Sequence, residues 1–151
     1  WARLSSSLVA SDGVSVGATG YRPDIAAAGT GYAMAWATGS GIGFMRYATN
    51  GNALCEHGLV DLGLDAMGDQ HRVALADTEF GTLVLVTSEE GKVSLVRFDE
   101  DCQTTGIVPV ANTASAGSPA LAVGGGSVAL AWVNRGASIA HTRLAGERLC
   151  E

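Results

Sequence analysis

The chain has 151 residues, 47% hydrophobic and only 16% charged, with a formal net charge of −6 and a pI near 4.9. That composition belongs to a folded chain and not to a disordered one. It excludes the basic footprint of a nucleic-acid binder and the polybasic patch of a membrane-surface protein, and no apolar run approaches the roughly 18 residues that would span a bilayer.

The first stretch, "WARLSSSLVASDGVSV", opens with Ala2-Arg3-Leu4, which echoes Met45-Arg46-Tyr47 further on. It predicts the end of one strand and then a second strand over about 8–16. The chain begins with Trp1 and not Met, which reads as a processed mature chain or a fragment of a longer one. Four strands are predicted next, at about 22–28, 31–38, 41–48 and 52–62. Tyr32, Met34 and Trp36 share one parity, and Ile42, Phe44 and Arg46 share another, the period of two expected of a pleated strand. Thr38-Gly39-Ser40-Gly41 supplies the turn between the second and third strands, with Gly for a positive φ. Ala33 and Ala35 alternate with the large residues, as suits a sheet covered on both faces. The segment 58–70 holds Gly58, Gly63 and Gly68, too many for a helix interior, and reads as a strand end and a loop.

The rest of the chain repeats this unit. Aligning Trp36 with Trp132 also aligns Pro23 with Pro119, Gly29 with Gly125 and Met34 with Leu130, and one inserted residue brings Arg46 onto Arg143. A weaker copy lies between, with Val86 at the Trp position and Arg97 at the Arg position. The period is about 48 residues, and the units run 21–68, 69–116 and 117–151, the last stopping where its fourth strand is due. Tandem four-stranded units of this length are the mark of a β-propeller.

The residues Pro23, Ile25, Ala26, Gly31, Trp36, Ile42, Phe44, Arg46 and Tyr47 follow the pattern P-x-φ-A…G-x-φ-φ-φ-W…φ-x-φ-x-R-φ. In this the chain resembles the bacterial β-propeller repeat proteins over nearly its whole length. The resemblance implies an all-β propeller with three four-stranded blades per chain and no particular ligand. Three blades are too few to close a ring. The expectation is half of a six-bladed ring, in which residues 1–20 of each copy complete the last blade of a homodimeric partner, or a piece of a larger propeller finished by another chain.

Three cysteines, Cys55, Cys102 and Cys150, leave at least one unpaired within the chain. Cys55 and Cys150 fall at equivalent places two units apart, too distant for a bridge. The expectation is free thiols or a bond to a partner chain. No C-x-x-C occurs and the three histidines are scattered, so neither metal nor cofactor is expected.

Repeated positions answer to packing. Trp36 and Trp132 read as core and not as sugar platforms, Arg46, Arg97 and Arg143 as strand-end ties, and Asp99-Glu100-Asp101 as a solvated turn and not a calcium loop. Function is expected where the copies differ, on the rim at the start of each innermost strand and on the adjoining turns. The candidate ligand-binding residues are Arg22, Asp24, His71, Arg72, Glu89, Glu90, Asn134 and Arg135, with Tyr21, Gln70 and Ser118 beside them. His71 near Asp24 or Asp69 suggests a general base, yet no nucleophile is tied to it by any motif, and no catalytic residue is assigned. The reading is a non-enzymatic binding module, secreted, periplasmic or on the cell surface, with a protein or glycan ligand. The alternatives are a lectin-like glycan binder, with Tyr21 and Phe80 as rim aromatics, and a hydrolase or lyase acting in a central funnel.

Overall fold

The computed structural model describes residues 20–55, 58–64, 71–134 and 138–145. All regular structure among them is β, in eleven strands: β1 (Tyr21–Ala28), β2 (Gly31–Ala37), β3 (Gly41–Ala48), β4 (Gly58–Asp61), β5 (Arg72–Thr78), β6 (Gly81–Thr87), β7 (Lys92–Phe98), β8 (Thr104–Asn112), β9 (Ala116–Gly124), β10 (Ser127–Asn134) and β11 (Ile139–Ala145). They form three antiparallel sheets in chain order, β1-β2-β3-β4, β5-β6-β7-β8 and β9-β10-β11. Each predicted unit is therefore one sheet of hairpin-linked neighbours. The fourth strand of the first sheet is shorter than the predicted 52–62: Ala53 makes a single bridge to Tyr47, and the ladder resumes only with Phe44 opposite Gly58. Among the described residues no helix is long and apolar enough to cross a membrane.

The middle sheet is apolar on both faces because it is covered on both. Val84, Val86, Val96 and Phe98 meet Ala33, Ala35, Ile42 and Phe44 of the first sheet. Leu83, Leu85, Val93 and Leu95 meet Val128, Leu130 and Trp132 of the third. Ala33 and Ala35 are small because the next sheet lies close above them; both are fully buried. The phenyl rings of Phe44 and Phe98 stack across this interface with centroids 4.1 Å apart, a contact worth about 0.5–1.5 kcal/mol beyond the area it buries.

The repeated code has a direction. Val86 faces the first sheet and Trp132 faces the second, so equivalent residues look toward the preceding sheet each time. Trp36, their counterpart, clusters with Met34 and Tyr47 in a third group. Its indole lies over Gly43, directly across the ladder, where any Cβ would collide with the ring.

The cysteine expectation is corrected. Cys55 and Cys102 form a disulfide with Cα atoms 6.1 Å apart, inside the range such a bond needs. Cys102 lies in the β7–β8 turn of the second sheet with φ near 62° and is buried in the core shared with the first sheet. The turn tucks beneath the first sheet, its backbone close against Gly58, while the chain at Cys55 has left the ladder before β4 begins. Cys55 and Cys102 are 47 residues apart, about one repeat, so the bond joins neighbouring sheets. Cys150 and residues 1–19 lie outside the described residues.

Candidate functional site

The first strands of the three sheets, β1, β5 and β9, begin at the same end of the molecule, and their first residues line one open cleft of about 310 Å³. Arg22, Pro23 and Asp24 come from β1, Arg72, Val73 and Ala74 from β5, and Ser118 and Pro119 from β9. Arg22, Arg72 and Ser118 are equivalent positions in the three repeats. Three of the sequence-predicted residues, Arg22, Asp24 and Arg72, are thus brought together, with Ser118 beside them.

The local backbone follows from proline. Pro23 and Pro119 have no N–H for the ladder, so the strand must step around them. In the first sheet Tyr21 pairs with Ala37 and Asp24 with Ala35, which leaves Arg22 and Pro23 together opposite Trp36. In the third sheet Gly117 pairs with Val133 and Ala120 with Ala131, which leaves Ser118 and Pro119 opposite Trp132. Both are β-bulges, and the residue before each proline has a positive φ, 51° at Arg22 and 45° at Ser118. A bulge of this kind re-aims the side chain it carries. The middle sheet has neither Pro nor Trp at these positions, and Arg72 to Val73 pair in plain register with Thr87 and Val86.

The charges of the cleft are unevenly used. Asp24 is engaged twice, Oδ1 accepting from the amide of Ile25 at 3.0 Å and Oδ2 from the amide of Leu75 on the next sheet at 3.0 Å. Arg22 is exposed and Arg72 half-buried, and among the described residues neither guanidinium has a hydrogen bond or ion pair. Ser118 is exposed. Thr87, across the ladder from Arg72, is fully buried and its hydroxyl has no hydrogen-bond partner.

The other candidates stand apart from the cleft. His71 is buried, with Nδ1 3.4 Å from the carbonyl oxygen of Thr38, where it ties the start of β5 to the β2–β3 turn. Both oxygens of Asp24 face backbone amides, and Asp69 and Gln70 lie outside the described residues. Glu89 and Glu90 sit exposed on the β6–β7 turn. Glu90 lies 3.9 Å from Lys92, an exposed pair that contributes little. That turn needs Gly91, whose φ is 92° and whose Cα lies against the Thr113 carbonyl, leaving no room for a side chain. Asn134 accepts a 2.9 Å hydrogen bond from the indole of Trp132, and Arg135 lies outside the described residues. Of the rim aromatics, Tyr21 is exposed but Phe80 packs against the second core.

Of the three strand-end arginines, two make hydrogen bonds within their own sheets, while the Nε of Arg46 is buried without a hydrogen-bond partner. Arg97 donates to the Thr105 hydroxyl at 2.8 Å and Arg143 to the Ser127 hydroxyl at 2.9 Å. Asp99 accepts the amides of Asp101 and Gln103, so the head of the acidic run caps its own turn. The residue that sequence reasoning missed is Asp77: its Oδ2 accepts the Gly29 amide of the first sheet and its Oδ1 the Thr82 hydroxyl. Its signal was an acidic side chain inside a strand otherwise rich in apolar residues.

In comparisons with known proteins, no family model, no curated protein and no solved structure matches this chain.

Proposed function

We propose that the chain is a non-enzymatic binding module whose sheets are consecutive blades of a β-propeller, and that it takes its ligand at the end where β1, β5 and β9 begin. One observation carries this reading: equivalent residues of three successive repeats line a single cleft of about 310 Å³, a volume within the range of small-molecule sites. The strands that build the cleft repeat, while its rim changes from Arg22 and Arg72 to Ser118 and from Asp24 to Ala74 and Ala120, and variation on a repeated frame is how such scaffolds acquire ligands.

Two successive interfaces with the same facing direction support the propeller geometry. The third sheet has three strands among the described residues, with β11 at its outer edge. In the proposed assembly a second copy completes the third sheet, and two copies close a six-bladed ring without open edges. A Cys55–Cys102 bond suits a secreted or cell-surface protein.

The test is mapping of backbone-amide NMR shifts with a panel of mono- and disaccharides and of small organic acids. Saturable shifts confined to 21–24, 72–75 and 117–120 are expected. Shifts clustered at the opposite strand ends, or chemical conversion of a panel compound, would overturn the reading.

A further inference from the structure

The cleft has a chemical preference that its lining makes specific. Two guanidiniums reach it from neighbouring sheets, Arg22 from β1 and Arg72 from β5, and neither is used by the fold among the described residues. The nearest carboxylate in the lining, Asp24, already serves the amides of Ile25 and Leu75. It is therefore engaged with the scaffold and not with the arginines. This is unusual in a chain of net charge −6 with nine basic residues, where acidic partners outnumber cations. Arg97 and Arg143, by contrast, donate to hydroxyls of their own sheets, and the Nε of Arg46, which also has no hydrogen-bond partner, is buried away from the cleft.

Backbone strain points to the same place. Arg22 and Ser118 hold positive φ directly before proline, a conformation that costs on the order of 1–3 kcal/mol each and that glycine would adopt without a Cβ penalty. At both places the chain instead carries a side chain that can donate hydrogen bonds, and the bulge aims it at the cleft.

We propose that this cleft is an oxyanion site: the guanidiniums of Arg22 and Arg72 hold a carboxylate, sulfate or phosphate group of the ligand, and the Ser118 hydroxyl donates a further hydrogen bond. The inference rests on the binding-module reading and narrows it to a small anionic ligand. Guanidinium forks match both planar and tetrahedral oxyanions, so the shared chemistry is the oxyanion itself.

The experiment is titration of the intact, disulfide-bonded chain with citrate, inorganic phosphate and inorganic sulfate at low ionic strength, followed by calorimetry and amide NMR, with glucose as the neutral probe. At least one anion is expected to saturate the cleft amides and to weaken as salt is added. Arg22→Gln and Arg72→Gln should each weaken it about tenfold or more, while Arg143→Gln leaves the affinity unchanged. Stronger binding of citrate than of phosphate and sulfate identifies a carboxylate ligand, and the reverse a tetrahedral one. No saturable binding of any of the three with Kd below about 10 mM, or binding indifferent to both arginine substitutions, overturns the proposal. Glucose shifting the cleft amides while the anions do not would overturn the oxyanion site alone; shifts from none of the probes would overturn the binding-module reading with it.

Discussion

The Oδ2 atom of Asp24 accepts the amide of Leu75, 3.0 Å away on the first strand of the next sheet. A second bond crosses between the same two sheets in the opposite sense, from the Gly29 amide to Oδ2 of Asp77 at 3.0 Å. Two carboxylates therefore clasp the first two sheets together outside any ladder, one from a strand of each. Bonds to a charged acceptor contribute about 1.5–3 kcal/mol, with the lower end apt for half-exposed groups. Asp24→Ala and Asp77→Ala should each lower the urea midpoint by the equivalent of about 1–2 kcal/mol, with Asp→Asn less severe because its carbonyl still accepts. An unchanged midpoint for both alanine variants would show the clasp to be dispensable.

The disulfide joins the first two sheets across one repeat. Closing a loop of 47 residues should stabilise the fold by about 4 kcal/mol on a chain-entropy estimate. Denaturant unfolding of the Cys55→Ser/Cys102→Ser double variant should show a loss of that order. Mass analysis of the native chain without reductant should find these two cysteines linked. A Cys55–Cys150 or Cys102–Cys150 peptide would contradict the structure.

Gly43 leaves the space that the Trp36 indole fills. Gly43→Val should force the ring out of its place and cost on the order of 1–3 kcal/mol, and Trp36→Ala about 3–5 kcal/mol. If the two act through one contact, the double variant costs less than the sum of the single ones. Strict additivity would separate them.

Burial raises the pKa of the Tyr47 phenol above its ordinary 10.0. Its neutral form is the one the fold favours. Its contribution to stability is accordingly complete below pH 10 and is lost as pH rises through the higher folded-state value. Thermal melts between pH 9 and about pH 12 should fall less steeply for Tyr47→Phe than for the parent, since phenylalanine has no proton to lose. Identical slopes would count against a desolvated phenol.

Native mass spectrometry tests the proposed assembly. A six-bladed ring of two copies gives twice 15.3 kDa and survives dilution. A stable monomer would eliminate strand exchange between copies.

The all-β character and the succession of antiparallel sheets were legible in the sequence because alternation and turn residues are local, but the short β4 was not, since the break in the ladder before Gly58 leaves no mark in the alternation. The gathering of Arg22, Asp24 and Arg72 at one end was legible too, since equivalent positions of stacked strands share an end. The pairing of each Pro with a Trp, at 23 and 36 and again at 119 and 132, was visible as a pattern without its meaning. Only the ladder shows that each proline forces a bulge opposite its tryptophan and turns the residue before it into positive φ. The fates of His71 and Asn134 were likewise hidden. Each is held by a partner that the sequence does not mark, the Thr38 carbonyl and the Trp132 indole. The Cys55–Cys102 bond and the Asp24 and Asp77 clasps depend on how closely one sheet lies over the next. That distance is decided by the volumes of Ala33, Ala35, Phe44 and Phe98 packed together. Periodicity is a property of a segment, and a composition of side-chain volumes across two segments exists only once they meet.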